Sequence, residues 1–113
     1  MSARREAALW VAQRGTAVVL AICVAVHLVT IVYAVRGGLT AGEILARTRG
    51  SVGWAAFYGV FVIAAAVHGA IGLRAIAAEW LRWRGDSAEV FVTVVGLGLT
   101  LAGLRAVAAV VVG

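Results

Sequence analysis

Three long apolar runs, none of them broken by proline, constrain this chain more than any other feature. The first extends from about Gly15 to Val35, the second from about Val52 to Ala78 and the third from about Val90 to Val112. Roughly 20 apolar residues are enough to cross the hydrocarbon core of a bilayer as a helix, and each run reaches that length. In lipid only helices and closed barrels satisfy every backbone group, and these runs lack the alternation of a strand. The expected fold is all-α, with three transmembrane helices in a single membrane-anchor domain over residues 1–113. Composition agrees: 64% of the residues are hydrophobic and the mean hydropathy is +1.04, against about 45–50% apolar residues in soluble domains. The first run is too long for the apolar part of a secretory signal and has no clear cleavage site, so it is expected to be retained.

Start and stop signals fall at the ends of the runs. Gly37-Gly38 can terminate the first helix. Thr40 with Glu43 has the spacing of a capping box, which predicts a short interfacial helix over Ala41–Thr48. Ser51 can cap the second span, and Asp86 with Glu89 can cap the third. No linker or low-complexity tract is present.

The net charge of +5 comes from ten arginines and no lysine. In a soluble protein that balance could indicate nucleic acid. Here the arginines flank apolar runs, which assigns them to topology and headgroup anchoring, with the lipid bilayer as partner and no nucleic acid. Arg4, Arg5 and Arg14 share one side with Arg82 and Arg84, whereas Arg36, Arg47 and Arg49 fall on the other. The excess predicts a multi-pass protein of the cell (plasma) membrane with its amino terminus in the cytoplasm. Trp10, Trp80 and Trp83 then form an inner aromatic belt, with Trp54 and Tyr33 at the outer one. The single cysteine, Cys23, lies within the first run and cannot form an internal disulfide.

The chemistry-bearing residues are His27 and His68, near the middle of the first two runs. An ionisable side chain inside a span is costly and marks a functional position, and imidazole is an axial ligand of haem. At 1.5 Å per residue, His27 lies about 20 Å from Arg14 and His68 about 16 Å from Glu79, both measured from the same side. The histidines are thus not level. Each would take its opposite ligand from another chain or from another copy of this one, which predicts two stacked haems in a larger haem-binding helix bundle. A few residues' change in the span ends would bring them level, and one haem would then serve both. Ala64, Ala65, Gly72 and Ala75 share a face with His68, as Cys23, Val24, Thr30 and Ile31 do with His27. Small residues leave room for a porphyrin edge, but they also let membrane helices approach closely. For the histidines themselves, a helix-to-helix hydrogen bond or a proton relay is the other reading.

Two arginines inside the spans are further candidates. Arg105 lies at about the depth of His27 and can either snorkel to the outer headgroups or pair with an anionic group such as a haem propionate. Arg74 points roughly 120° away from His68 around the helix, yet its length could reach a propionate. Arg14, with Gln13 and Trp10, makes a polar inner rim that offers donors to a quinone headgroup.

The segment His68-Gly-Ala-Ile-Gly72-Leu-Arg74-Ala-Ile-Ala-Ala-Glu79 resembles the His-x3-Gly-x-Arg-x4-Asp segment of the cytochrome b membrane subunit of succinate dehydrogenase, with Glu79 in place of aspartate. Trp10-Val-Ala-Gln13-Arg14-Gly-Thr16 is similar to the opening His/Gln-Arg-x-Ser/Thr segment of that family. Three spans and the chain length match too, so the resemblance covers most of the sequence. It implies that His68 is an axial ligand of haem b and that Arg74 helps hold a propionate. It also implies that Arg14, with Trp10 and Thr16, lies at the quinone site. The partners it implies are a flavoprotein with FAD that oxidises succinate, an iron–sulfur subunit, and a second membrane anchor that supplies the opposite haem ligands. His27 departs from single-haem members of this build, and two-haem members of the wider succinate dehydrogenase and fumarate reductase group place ligands on both of the first two helices. Ala75 stands where the family often has histidine. The competing readings are a small transporter or proton-relay subunit without haem, and a purely structural anchor.

Overall fold

The computed structural model describes residues 2–113, and they form four helices: α1 (Ala3–Arg36), α2 (Ala41–Thr48), α3 (Val52–Trp80) and α4 (Asp86–Val111). No strand occurs among the described residues. Helices α1, α3 and α4 are each long and apolar enough to cross a membrane. The three expected spans and the short helix between the first two are therefore present.

Local chemistry explains most of the boundaries. Helix α1 begins twelve residues before the expected span, because the Ser2 side chain accepts from the Arg5 amide at 3.2 Å and caps it. At 34 residues it is about 51 Å long, well beyond the roughly 30 Å hydrocarbon core, and its first turns carry Arg4, Arg5 and Glu6 out of the apolar zone. Its other end closes as a Schellman motif: Gly38 takes a φ of 62°, its amide bonds Val35 O at 3.2 Å, and the Leu39 amide bonds Ala34 O at 3.0 Å. Thr40 caps α2 by accepting from the Glu43 amide at 3.2 Å, and its hydroxyl donates to Glu43 Oε1 at 3.1 Å. Ser51 caps α3 by accepting from the Trp54 amide at 3.2 Å. The expected Asp86–Glu89 cap does not form. Gly85 is the N-cap and offers no side chain, and the Glu89 carboxylate is taken by arginines of the other helices.

Helix α3 lies between α1 and α4, antiparallel to both. The seam is made of small residues: Cys23, Ala64, Ala66, Ala77, Ala88 and Val92 are buried, and among the described residues no large side chain is fully so. This is how membrane helices associate, by close approach rather than by expulsion of water. Gly96 packs on Ala70, Gly69 on Leu99 and Gly103 on Val62, which fixes the α3–α4 register. Val18, Ile22, Leu28, Val60, Val94 and Leu101, among others, remain exposed. The three helices therefore bury little of their apolar surface against one another and leave most of it for lipid and for other chains.

The opposite end is pinned by polar contacts. Thr48, buried on α2, donates to Val110 O at 2.7 Å, and the Gly50 amide donates to Val111 O at 2.8 Å. Carbonyls that the last turn of α4 would leave unpaired are thereby satisfied.

Candidate functional site

Helices α1 and α3 meet in one consistent antiparallel register. Gly72 packs against the Gln13 side chain, His68 against Thr16 and His27 against Tyr58. The two histidines are reciprocal: each sits on one helix and meets a hydroxyl of the other. Thr16 and His27 are eleven residues apart on α1, so the two imidazoles stand about 16 Å apart along the bundle. The direction of the offset expected from counting residues is present in the fold, with His68 nearer the end that carries the amino terminus. It is larger than the few ångströms expected, because Arg14 and Glu79 are not level: Gly72, and not Glu79, stands against Gln13.

His68 is half-buried, with Nδ1 3.2 Å from Thr16 Oγ1. The Thr16 hydroxyl also donates to Ala12 O at 2.8 Å, with Gln13 O at 3.1 Å. An apolar groove of about 390 Å³ is lined by Thr16, Val19, Gly59, Val60, Ile63, Ala64 and Val67; His68 does not line it but adjoins it through Thr16 and Val67. One turn away Gln13 sets its side-chain Nε2 against Gly72 and buries its Oε1 with no hydrogen-bond partner. A buried acceptor of that kind calls for a donor.

His27 is half-buried in an aromatic cluster. Its Nδ1 lies 3.4 Å from the Tyr58 hydroxyl. Its ring stands edge-on to Tyr58 and to Phe61, with centroids 5.7 Å apart in both cases, and Trp54 stacks on Tyr58 at 5.5 Å. A cavity of about 380 Å³ opens between α1, α2 and α3, bordered by His27, Thr30, Arg47, Trp54 and Tyr58. The sequence reading did not single out Tyr58 or Arg47. Tyr58 precedes His68 by ten residues while His27 follows Thr16 by eleven, a match that acquires meaning only once Thr16 is known to face His68.

The arginines fall in different places. Arg105 stands two residues beyond Gly103, the glycine that packs on Val62 of α3. It is therefore within about 3 Å of the depth of His27 but points away from α3, and it is exposed and does not border the His27 cavity. Arg74 is drawn into a cluster of charges: its Nε donates to Glu89 Oε1 at 2.8 Å, and its Nη2 lies 3.6 Å from Glu6 Oε1. Arg5 also reaches Glu89, at 3.3 Å. Arg14 is exposed and sits 5.3 Å over the Trp10 ring, a cation–π pair at the rim of α1.

Among the described residues no group of three or more histidine, cysteine or carboxylate side chains is placed to hold a metal ion. What the chain can contribute is one imidazole at each of two depths. This fits an axial ligand to haem, which takes one nitrogen from each side of the ring. His68 suits that role, since its Nδ1 is engaged by a hydroxyl and an apolar groove lies beside it.

The family model described as succinate dehydrogenase/fumarate reductase transmembrane subunit matches residues 1–112. No curated protein and no solved structure matches the chain.

Proposed function

Because the chain belongs to the succinate dehydrogenase/fumarate reductase transmembrane subunit family, we propose that it is the haem b-binding membrane anchor through which electrons pass from an iron–sulfur subunit to membrane quinone. The observation that carries this reading is His68: a half-buried imidazole in a membrane helix, held at Nδ1 by Thr16, beside an apolar groove. Haem bound there would relay single electrons, and the protein's part is to bind, orient and shield it.

His68 Nε2 would hold the iron. His27 would do the same for a second, outer haem, since imidazoles about 16 Å apart along helices cannot flank one ring. With two histidines in the sequence, each haem takes its opposite ligand from a second membrane subunit. Arg74 contributes positive charge on the amino-terminal side, where the propionates of the inner haem would find it shared with Glu89 and Glu6. Arg105, at the depth of His27 but facing outward, would meet an outer propionate only across an interface with that second subunit. Arg14, Trp10 and the unpartnered Gln13 Oε1 form the rim proposed for quinone, with Gln13 accepting from a quinol hydroxyl. The amino terminus lies in the cytoplasm of a cell whose plasma membrane the helices span, and the amino-terminal rim docks the iron–sulfur subunit, which in turn meets the FAD-bearing flavoprotein.

A proton relay between the histidines is disfavoured by the same geometry. Apart from Thr16, the groove between the two levels is lined by glycine, alanine, valine and isoleucine, so no chain of polar side chains crosses it.

The test is a pyridine haemochrome and reduced-minus-oxidised spectrum of the purified complex, with haem b counted against flavin. His68→Ala is expected to remove the haem it ligates. A full haem complement with an unchanged bis-histidine spectrum in that variant would sink the reading.

A further inference from the structure

Thr16 Oγ1 is surrounded by three polar atoms: Ala12 O at 2.8 Å, Gln13 O at 3.1 Å and His68 Nδ1 at 3.2 Å. A hydroxyl has one proton and two lone pairs. The two carbonyl oxygens can only accept, so the proton is committed to them, at the shorter distance to Ala12. Were it turned to His68 instead, two carbonyl oxygens would face the hydroxyl oxygen with no hydrogen between them. Toward the imidazole, Thr16 therefore presents a lone pair, and the contact is a hydrogen bond only when His68 Nδ1 carries a hydrogen. A neutral imidazole has one N–H, which leaves Nε2 bare.

We propose that Thr16 is a positioning residue that fixes His68 as the Nδ1–H tautomer, so that Nε2 is the ligating atom, and that its hydroxyl tunes how strongly that nitrogen donates to iron. This rests on the reading of His68 as a haem ligand and extends it to a residue whose motif suggested a quinone contact. The backbone of α1 sets the hydroxyl's direction: a threonine back-bonded to the carbonyl four residues earlier has its lone pairs turned outward, here onto α3. Donating its own proton makes that oxygen a better acceptor. An acceptor on the Nδ1–H of a ligating histidine raises the basicity of the ligand, which favours ferric iron and lowers the reduction potential. His27 has no such lock. Among the described residues the Tyr58 hydroxyl has no other hydrogen-bond partner, so its proton can go either way along the contact.

Three variants of the intact complex test this by redox titration and low-temperature EPR of the haem. Thr16→Val keeps the shape and removes the hydroxyl, and Thr16→Ser keeps the hydroxyl. The expected result is a higher potential for the His68 haem in Thr16→Val, about a threefold rise in the reduced-to-oxidised ratio at fixed potential, or roughly 28 mV at ~59 mV per tenfold. Thr16→Ser should match the wild type. If Thr16→Val loses haem, recovery in Thr16→Ser supports the proposal, and loss in both overturns it, since the methyl and not the hydroxyl would then matter. Haem retained in Thr16→Val at the wild-type potential also overturns it. His68→Ala separates the underlying reading: if that variant keeps the haem, ligation by His68 fails independently of any result at Thr16.

Discussion

The Arg74 guanidinium donates to Glu89 across 2.8 Å, and this pair ties α3 to the first turn of α4. Glu6 and Arg5 of α1 complete the cluster, so two cations and two carboxylates hold three helix ends together on the side of the amino terminus. The Arg74 side chain is 24% exposed, less than its partners in the cluster, and it is the member that contacts both carboxylates.

Removing Arg74 should cost more than removing one of its partners. Exposed ion pairs contribute about 0.2–1 kcal/mol each and Glu89 takes part in two, so Glu89→Gln is expected to lower stability by at most about 2 kcal/mol and to do so less at high salt. Arg74→Ala leaves Glu6 and Glu89 without their shared cation and should be the more destabilising change. Thermal melts of the detergent-solubilised complex at two salt concentrations would show the order, and a Glu89→Gln variant less stable than Arg74→Ala would contradict it.

The same cluster shows where sequence reasoning stops. The spans, Ala41–Thr48 and the Thr40 and Ser51 caps could be read locally, because a cap is a bond between residues three apart. The Asp86–Glu89 pattern has the same spacing and failed, because Glu89 is claimed by Arg74, fifteen residues away, and by Arg5 on another helix. The order of the histidines in depth was legible from the rise per residue, but the size of their offset was not, because it depends on which residues of α1 and α3 stand level. Their partners Thr16 and Tyr58 were not, since that requires the register of α1 against α3, which is set by small residues along the seam rather than by any pattern within one helix. Arg105 was placed at the right depth, but its direction follows from Gly103 facing α3, which the sequence does not reveal.

Gly103 is the most closely covered of the glycines in the α3–α4 seam. A Cβ there would lie 2.5 Å from Val62 Cγ1. Gly103→Ala is expected to destabilise by about 1–3 kcal/mol through overpacking, and Val62→Ala in the same chain should restore much of the loss. Gly98, where a Cβ meets nothing within 4 Å, is the control. Unfolding titrations of the three variants check this; equal effects at Gly98 and Gly103 would show that helix propensity and not the seam is at work.

Thr48 pins the end of α4 while also bordering the His27 cavity. Its hydroxyl donates to Val110 O at 2.7 Å from a buried position. Thr48→Val preserves shape and leaves that carbonyl short of a partner, at a cost of about 1–3 kcal/mol. The expected signature is faster amide exchange in the last turns of α4 and in α2, with the haem assigned to His68 unchanged. Uniform loosening along α4 would instead point to a global loss of stability.

His27 decides between one haem and two. It packs edge-on against Tyr58 and Phe61, which is what a histidine used only for packing would also do, but it borders a cavity of about 380 Å³ that Arg47 reaches from α2. If it ligates an outer haem, the wild-type complex carries two haems per flavin, His27→Ala carries one, and the remaining haem keeps the spectrum and potential assigned to His68, because the two sites are about 16 Å apart along the bundle. Tyr58→Phe removes one hydroxyl and leaves the ring, so both haems should stay while only the outer potential moves. The discriminating quantity is the haem-to-flavin ratio of the unmodified complex: a value of one leaves His27 with its aromatic neighbours as a packing residue, and Tyr58→Phe should then change neither haem content nor potential.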